Sequence, residues 1–380
     1  MRSGWKATLI LALVSLLTLT SSCKDNDDDD RAPENVPMLK GKITSYNEFG
    51  AAMLSVTESD MQKAGFTLGD VISVIVDNHE IALPYYDGFY TQNGEFLCVA
   101  YPTYPSIAFT CNNIGLPDEL TGLEGHDVTI KMRVKGGRID VQKALSMKYT
   151  NNRSDYSDVT DADYANARPV IAGKIAEGVL HRSSSPFCND INRATYVSEY
   201  MQKHDVKTVL NLADTKEKML SYTMPPFSNS IWESGDVILC PLKADPLADD
   251  FNDRLIEALK ELPSRPGPYI VHCMEGKDRT GYVCALLEGL CGATYDEIVA
   301  DYLETYDNYY QKTPEKDRDV CNTLVQLRLK PCLMHYANFY IEKELPKVNF
   351  ADAFSQFLLE HGMTQQEVKN LVNALTKPVH

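Results

Sequence analysis

The sequence predicts an α/β protein made of two parts, and two patterns lead to this prediction. Over residues 38–150, short β-branched or aromatic runs such as DVISVIVD (70–77) and DVTIKMRV (127–134) are separated by Gly, Pro, Asn and Asp. This is typical of strands in a small barrel or sandwich. Over residues 170–380, apolar strand patterns alternate with amphipathic helix patterns. Such alternation favours a central, mostly parallel sheet flanked by helices.

The elements of the second part follow in a regular order. The polar, turn-rich residues 151–169 are interpreted as a linker. Helices are predicted at NRATYVSEYMQKH (192–204), DDFNDRLIEALKEL (249–262) and TGYVCALLEGLCG (280–292). Strands are predicted at VKTVLNL (206–212), GDVILCPL (235–242) and PYIVHC (268–273). Residues 350–375 carry two further helical patterns.

Composition narrows the class of function. A formal net charge of −16 on 380 residues argues against a nucleic-acid partner, which needs a basic surface to neutralise phosphates. A phosphate-bearing substrate is compatible with this charge, because a local pocket can be positive on an acidic protein. The ten cysteines show no CxxC pair and no zinc-like spacing with histidine. Disulfide pairing is therefore left open, and no metal or cofactor is expected.

The N-terminus has the pattern of an export signal. A basic start, MRSGWK, precedes the short apolar run ATLILALVSLLTLT and the small residues before Cys23. The run is shorter than the about 20 residues that a membrane span needs. Residues 1–23 resemble a bacterial lipoprotein signal, which implies a lipid on Cys23 and a place in the cell envelope, on the outer membrane or cell surface. Residues 24–37 form an acidic tether whose like charges keep it solvated.

The stretch HCMEGKDRTG (272–281) contains the candidate catalytic residues. Cys273 follows a buried strand, and Arg279 comes six residues later at the start of a predicted helix. Successive N–H groups from Met274 to Arg279 can curl around a dianion, and the helix N-terminus adds positive partial charge. The same field favours the thiolate of Cys273, which is the nucleophilic form. The pattern therefore predicts a phosphate-binding loop with an attacking sulfur at its base.

Individual residues of this loop have expected roles. The planar guanidinium of Arg279 suits bidentate binding of phosphoryl oxygens. Gly276 lets the loop turn, and the hydroxyl of Thr280 can donate to the sulfur. Lys277 adds positive charge beside Arg279, with a solvent-facing lysine as the alternative. The phosphate contacts are assigned to the loop residues Met274, Glu275, Gly276, Lys277 and Arg279, and His272 is expected to order the loop.

The stretch resembles the signature of the cysteine-dependent protein tyrosine phosphatase superfamily, in the HCxxGKDRTG form of its atypical bacterial tyrosine and lipid phosphatases. LHRSSSP (180–186) and VADYLET (299–305) are similar to flanking segments of that branch. The resemblance implies a phosphatase-like domain over residues 170–380 that forms a phosphocysteine intermediate. It implies a phosphorylated protein as substrate, most simply phosphotyrosine. A phosphoinositide or inositol phosphate substrate, or a silent phosphate-binding module, are the alternatives.

The family also implies a general acid, for which two carboxylates compete. Asp278 lies inside the signature and is favoured, with a loop brace as its alternative role; Asp245 lies upstream. The branch usually carries DLR at the end of an earlier strand, where this chain has NLAD (211–214). Two alternatives follow: a secondary acid or a substrate-binding basic group is missing here, or Asp214 partly replaces it. Arg182 is expected to support the site by lining the mouth of the pocket.

Overall fold

The computed structural model describes residues 36–243, 245–247, 249–338 and 342–378. The predicted lipidated Cys23, the signal before it and nearly all of the tether lie outside these residues. From Pro37 onward the chain forms one compact unit, so its β-rich and helical parts pack together. No helix in the described ranges has both the length and the apolar character that crossing a bilayer requires.

The β-rich part is a closed barrel of seven strands in the order β1-β2-β6-β5-β4-β3-β7. All neighbours are antiparallel except β4 and β5, which run parallel. The strands are β1 (Met38–Tyr46), β2 (Ala52–Leu54), β3 (Val71–Val76), β4 (His79–Tyr86), β5 (Phe96–Val99), β6 (Ala108–Cys111) and β7 (Asp127–Val134). Two short helices accompany them, α1 (Glu58–Lys63) and α2 (Ile139–Leu145).

Side-chain alternation explains the barrel core. In β3, Ile72, Val74 and Val76 are fully buried, as expected where every second residue points inward. The pairing of β1 with β7 closes the sheet and removes its free edges. The sequence left barrel and sandwich open, and the structure shows a barrel.

The second part is built on a mixed five-stranded sheet in the order β11-β10-β12-β9-β8. The pairs β11–β10, β10–β12 and β12–β9 are parallel, and the edge pair β9–β8 is antiparallel. The strands are β8 (Arg168–Pro169), β9 (Leu180–Ser183), β10 (Thr208–Asn211), β11 (Val237–Leu239) and β12 (Tyr269–His272). The predicted α/β class is thus confirmed as a barrel joined to a mixed sheet with helices.

The helices of this part cover both faces of the sheet and extend beyond it. They are α3 (Asp161–Tyr164), α4 (Ala194–Lys203), α5 (Lys216–Met219), α6 (Pro226–Ser234), α7 (Asp249–Glu261), α8 (Asp278–Leu290), α9 (Tyr295–Tyr310), α10 (Arg318–Leu324), α11 (Lys330–Tyr336), α12 (Phe350–Glu360) and α13 (Gln365–Thr376). A π-helical turn, Val325–Leu329, joins α10 to α11. Helix α8 is buried from Thr280 to Leu290, so nearly its whole length packs inside the protein.

The stretch interpreted as a linker, residues 151–169, contains a 3₁₀ turn (Arg153–Asp155), α3 and the edge strand β8. The nine cysteines of the described ranges are all free thiols and all buried. These ranges also hold no group of three or more His, Cys, Asp or Glu side chains arranged to bind a metal ion.

Candidate active site

Cys273 lies at the carboxyl end of the central strand. Register pairs His272 of β12 with Asn211 of β10 and with Ser183 of β9, so the three strands end level with one another. Cys273 is the next residue, and it is only 3% exposed. Ligands bind at this edge in open α/β sheets, so the position suits a nucleophile at the base of a pocket.

The first two carbonyl groups of the loop are tied back into the protein. The Nδ1 of His272 donates to the carbonyl oxygen of Cys273 at 3.1 Å. The backbone N–H of Ser185 donates to the oxygen of Met274 at 3.0 Å. Burial lowers the pKa of His272 to about 4, against the opposing effect of Asp214. This imidazole is therefore neutral near neutral pH and acts on the loop through its hydrogen bond.

The next two carbonyl groups are held from the same side. The side-chain amide of Asn166 donates to the oxygens of Glu275 and Gly276, both at 3.1 Å. The hydroxyl of Tyr309 adds a second bond to Glu275 at 2.8 Å, and Arg182 adds a second bond to Gly276 at 3.0 Å. All four carbonyl groups from Cys273 to Gly276 are thus fixed by donors behind the loop.

This arrangement orients the amide hydrogens. In a trans peptide the C=O of one residue and the N–H of the next point in opposite directions. The N–H groups of residues 274–277 therefore face away from the clamping donors, toward the hollow of the loop. Helix α8 begins directly afterwards at Asp278 and adds the unpaired donors of its first turn. The geometry is that of a cup for a tetrahedral anion.

Gly276 is required by two constraints. Its φ of +67° lies in the left-handed region, which L side chains rarely adopt. A Cβ at this position would lie 2.2 Å from the carbonyl oxygen of Ser183. The loop approaches β9 so closely that no side chain fits.

Arg279 lies at the strand ends where Cys273 also lies. Its Nη1 donates to the carbonyl oxygens of Leu212 at 3.1 Å and Leu242 at 3.2 Å. Leu212 follows β10 directly, just as Cys273 follows the neighbouring strand β12, so the guanidinium lies at the same strand ends. With Nη1 held by the backbone, the planar group has a fixed orientation next to the amide cup. Thr280 is buried, and its hydroxyl has no partner in the described ranges, which leaves it available to the sulfur.

Lys277 is paired rather than free. Its Nζ lies 2.8 Å from a carboxylate oxygen of Glu275 and donates to the hydroxyl of Tyr310 at 3.3 Å. The hydroxyl of Tyr149 donates to the other oxygen of Glu275 at 2.7 Å. Burial opposes the charge on Lys277, but Asp278 and Glu275 outweigh it and hold the pKa of Lys277 well above its ordinary value. The expected positive charge of Lys277 is therefore present but paired with Glu275, and the solvent-facing alternative does not match this arrangement.

The two candidate acids have different environments. The carboxylate of Asp278 is partly exposed, and its nearest ionic partner is the Nζ of Lys277 at 3.9 Å. It accepts no backbone hydrogen bond within the described ranges, so the brace role has no contact to support it. Asp245 accepts from the N–H of Leu247 at 3.0 Å and from Asn93 of the barrel at 2.9 Å.

Arg182 does not line the mouth of the pocket, as the sequence led us to expect. It is 0% exposed and forms an ion pair with Asp301 of α9. Burial would raise the pKa of Asp301, but Arg182 and Arg168 lower it to about 2. The charged pair therefore persists beneath the loop, and Arg182 supports the site from behind through the carbonyl of Gly276.

The NLAD segment has a structural place as well. Asp214 is fully buried and accepts from the hydroxyl of Tyr222 at 2.7 Å and from Asn211 at 3.2 Å. With both oxygens bound inside the protein, Asp214 does not replace a substrate-facing group.

Sequence reasoning missed a cluster that joins the predicted linker to the loop. Arg193 is fully buried and lies over four tyrosine rings, the nearest being Tyr164 at 4.2 Å and Tyr309 at 4.5 Å from ring centroid. Asn166, which follows α3, has a φ of +52°. A left-handed asparagine is a recognisable turn signal, but its distant partners were not readable from the chain.

Comparisons with known proteins give a family and one curated relative. A model of the "Tyrosine phosphatase family" matches residues 163–377. The "Triple specificity protein phosphatase PtpB" of Mycobacterium tuberculosis is 50% identical over 44 residues, which are 12% of this chain and 16% of that protein. The chain thus matches about one sixth of the length of this curated relative.

Solved structures with local similarity share less sequence. The core catalytic domain of the PP-IP phosphatase SIW14 from S. cerevisiae is 16% identical and covers 40% of this chain and 86% of its own, with a TM-score of 0.25. TpbA from P. aeruginosa is 17% identical and covers 43% of this chain and 94% of its own, with a TM-score of 0.23. Because the family model spans more than half of the 380 residues, the protein belongs to the tyrosine phosphatase family.

Proposed function

We propose that the protein hydrolyses phosphomonoesters through a phosphocysteine intermediate at Cys273, with phosphotyrosine in a protein as its substrate. The observation that carries this proposal is the set of four consecutive loop carbonyls, from Cys273 to Gly276, tied back by donors behind the loop. They turn the amide hydrogens toward one point in front of the sulfur, where a phosphoryl group is stabilised as charge develops.

In the first step the thiolate of Cys273 attacks phosphorus, an S–P bond forms and the bond to the ester oxygen breaks. Arg279 and the loop amides hold the phosphoryl oxygens. Asp278 gives a proton to the departing oxygen. In the second step water attacks phosphorus, Asp278 takes its proton, and the S–P bond breaks to return the thiolate. Thr280 donates to the departing sulfur.

Asp278 is preferred to Asp245 because its carboxylate accepts no hydrogen bond from the residues that the structure describes, and because Asp278 is the first residue of α8. Asp245 is already bound on both oxygens, by Leu247 and Asn93, and must break these contacts to reach substrate. Asp245 stays the alternative acid, and exchange of each for asparagine separates the two.

Phosphotyrosine is preferred to polyphosphorylated substrates because of the pairing of Lys277. The ion pair with Glu275 at 2.8 Å compensates the charge that would attract a second phosphate. The silent binding module is disfavoured, since Cys273, Arg279 and Thr280 are all present at the loop.

The test is turnover of 4-nitrophenyl phosphate by the wild type and by C273S. We expect C273S to lose turnover completely. C291S is the matched control, because burial raises the pKa of the Cys291 thiol to about 12, and Cys291 follows the end of α8 that is far from the loop. Trapping of a phosphorylated Cys273 by mass spectrometry after acid quench is the direct readout. Equal turnover by C273S and wild type would exclude the mechanism.

We also propose that the chain is anchored to the bacterial cell envelope through a lipid on Cys23. The support is the sequence pattern of residues 1–23. Incorporation of labelled palmitate into the wild type and not into C23S, with movement of C23S to the soluble fraction, is the expected result. Equal labelling of both would contradict it.

A further inference from the structure

A cleft of about 560 Å³ lies between the barrel and the phosphatase part. One wall is formed by the barrel, with Phe89, Tyr90 and Asn93 among its residues. The opposite wall includes Tyr282 of α8 and Arg328 of the π-helical turn. A volume of this size is typical of a site for a drug-sized ligand, and so for a few residues of chain.

The cleft adjoins the acid of the proposed reaction. Tyr282 comes four residues after Asp278, so the two lie on the same face of α8 one turn apart. Asp245, the alternative acid, lines the cleft itself. The departing oxygen must lie next to whichever carboxylate protonates it. Whether Asp278 or Asp245 is the acid, the part of the substrate beyond that oxygen is therefore directed into this cleft.

Arg328 is the cation of the cleft. Its side chain is exposed, and within the described ranges it forms no ion pair and no hydrogen bond. Loss of water at the cleft would lower the pKa of Arg328, but Tyr282 and Asp278 outweigh this effect and raise it. The guanidinium therefore stays charged. The π-helical turn that carries it is a rare geometry concentrated at functional sites. On a chain of net charge −16, an unpaired arginine here favours an acidic group on the ligand.

The barrel wall offers polar groups for a peptide backbone. Gln92, Asn93 and Asn113 present side-chain amides at the cleft, and amides both donate and accept. Asn93 also bridges the two walls by donating to Asp245 at 2.9 Å, and Asn113 donates to Asn93. Phe89 and Tyr90 add aromatic surface for an apolar side chain.

We propose that this cleft binds the polypeptide segment that flanks the phosphorylated tyrosine, with an acidic side chain of that segment on Arg328. The barrel is then the element that selects substrates. This inference rests on the proposed function, and the two are tested separately.

The probe is a series of phosphotyrosine peptides in which one Glu is moved through the positions on either side of the phosphotyrosine. At the best position, kcat/KM is compared for Glu and Lys peptides and for phenyl phosphate, which has no flank. We expect the wild type to prefer the Glu peptide over the Lys peptide by about fivefold, as for a partly exposed ion pair. R328E should reverse this preference. R133E, a charge reversal at an exposed barrel residue outside the cleft, should keep the wild-type preference.

A Glu-to-Lys ratio that is the same in R328E as in the wild type would overturn the proposal. So would an R328E change that is equal for peptides and phenyl phosphate, or a dependence on Arg328 seen with a soluble phosphoinositide and with no peptide. In each case turnover of phenyl phosphate that requires Cys273 would leave the proposed phosphocysteine mechanism standing, whereas the phosphoinositide outcome would replace the proposed substrate. If turnover of phenyl phosphate did not require Cys273, both the proposed function and this inference would fail.

Discussion

Replacement of Asn166 by alanine tests how the catalytic loop is shaped. The side chain is fully buried and makes four hydrogen bonds. It donates to the oxygens of Glu275 and Gly276, and it accepts from Arg168 at 2.6 Å and from Asn308 at 3.0 Å. No atom of Asn166 is proposed to touch substrate. Any effect on phosphate binding must therefore pass through the loop.

The cost in stability follows from these contacts. A neutral hydrogen bond contributes about 1 kcal/mol and a bond to a charged group about 2 kcal/mol. The loop oxygens retain Tyr309 and Arg182 as partners, which reduces the loss. We expect N166A to lower the free energy of unfolding by about 4 kcal/mol. Without Asn166 the N–H groups of the loop are held less firmly and should bind phosphate less well. We therefore expect inhibition by inorganic phosphate to weaken about tenfold and kcat/KM to fall about 100-fold, as for a small misplacement of catalytic groups.

The assay combines urea unfolding with steady-state kinetics on 4-nitrophenyl phosphate, with inorganic phosphate as inhibitor. N192A is the matched control, because Asn192 shares the left-handed backbone, with a φ of +55°. It is exposed, and its side-chain amide donates to the backbone oxygen of Asn151 at 3.2 Å, which is not a loop carbonyl. Near-ultraviolet circular dichroism shows that both variants are folded at the assay temperature. Stability loss in N166A with phosphate inhibition and kcat/KM equal to those of N192A would refute the role of the carbonyl clamps.

Three further predictions concern titration and the acid. Burial, aided by Asp301, raises the pKa of Glu288 well above its ordinary value, so the stability of the wild type relative to E288Q should fall as the pH rises above about 4.5. An equal pH dependence of the free energy of unfolding in both proteins would contradict this. His272, with a folded pKa of about 4, binds no proton at a pH where the unfolded chain does. The free energy of unfolding should thus decrease as the pH is lowered from about 6.5 to about 4, by at most about 3 kcal/mol. H272N should remove this decrease. An equal decrease in H272N and the wild type would show that the imidazole takes up its proton in the folded state as it does in the unfolded chain. D278N should lower kcat/KM about 100-fold for phenyl phosphate and much less for 4-nitrophenyl phosphate, whose leaving group needs less protonation. A loss of this kind in D245N and not in D278N would assign the acid to Asp245.

Much of the site was readable because it is contiguous. Ten consecutive residues, 272–281, contain the strand end, the glycine turn and the helix start, and each is a local property of the backbone. A glycine between Cys273 and Arg279 indicates a tight turn before its φ of +67° is known. The family followed from this stretch and was confirmed.

The surroundings of the loop could not be predicted in the same way. Arg182 was expected near solvent, yet its partner Asp301 lies 119 residues away in the chain and buries it. Tyr149 reaches Glu275 across 126 residues. No local sequence pattern encodes such pairs. The sequence around a charged residue on a strand can be the same whether its side chain contacts water or a buried carboxylate.

The short-range order of residues was therefore enough to specify strands, helices and the turn that presents a sulfur to an anion, since these depend on backbone preferences and on the alternation of apolar side chains. Closure of the barrel, burial of Arg182 and the cleft lined by Arg328 were settled by long-range packing. They depend on which surfaces meet when apolar area leaves water, a property of the folded chain as a whole.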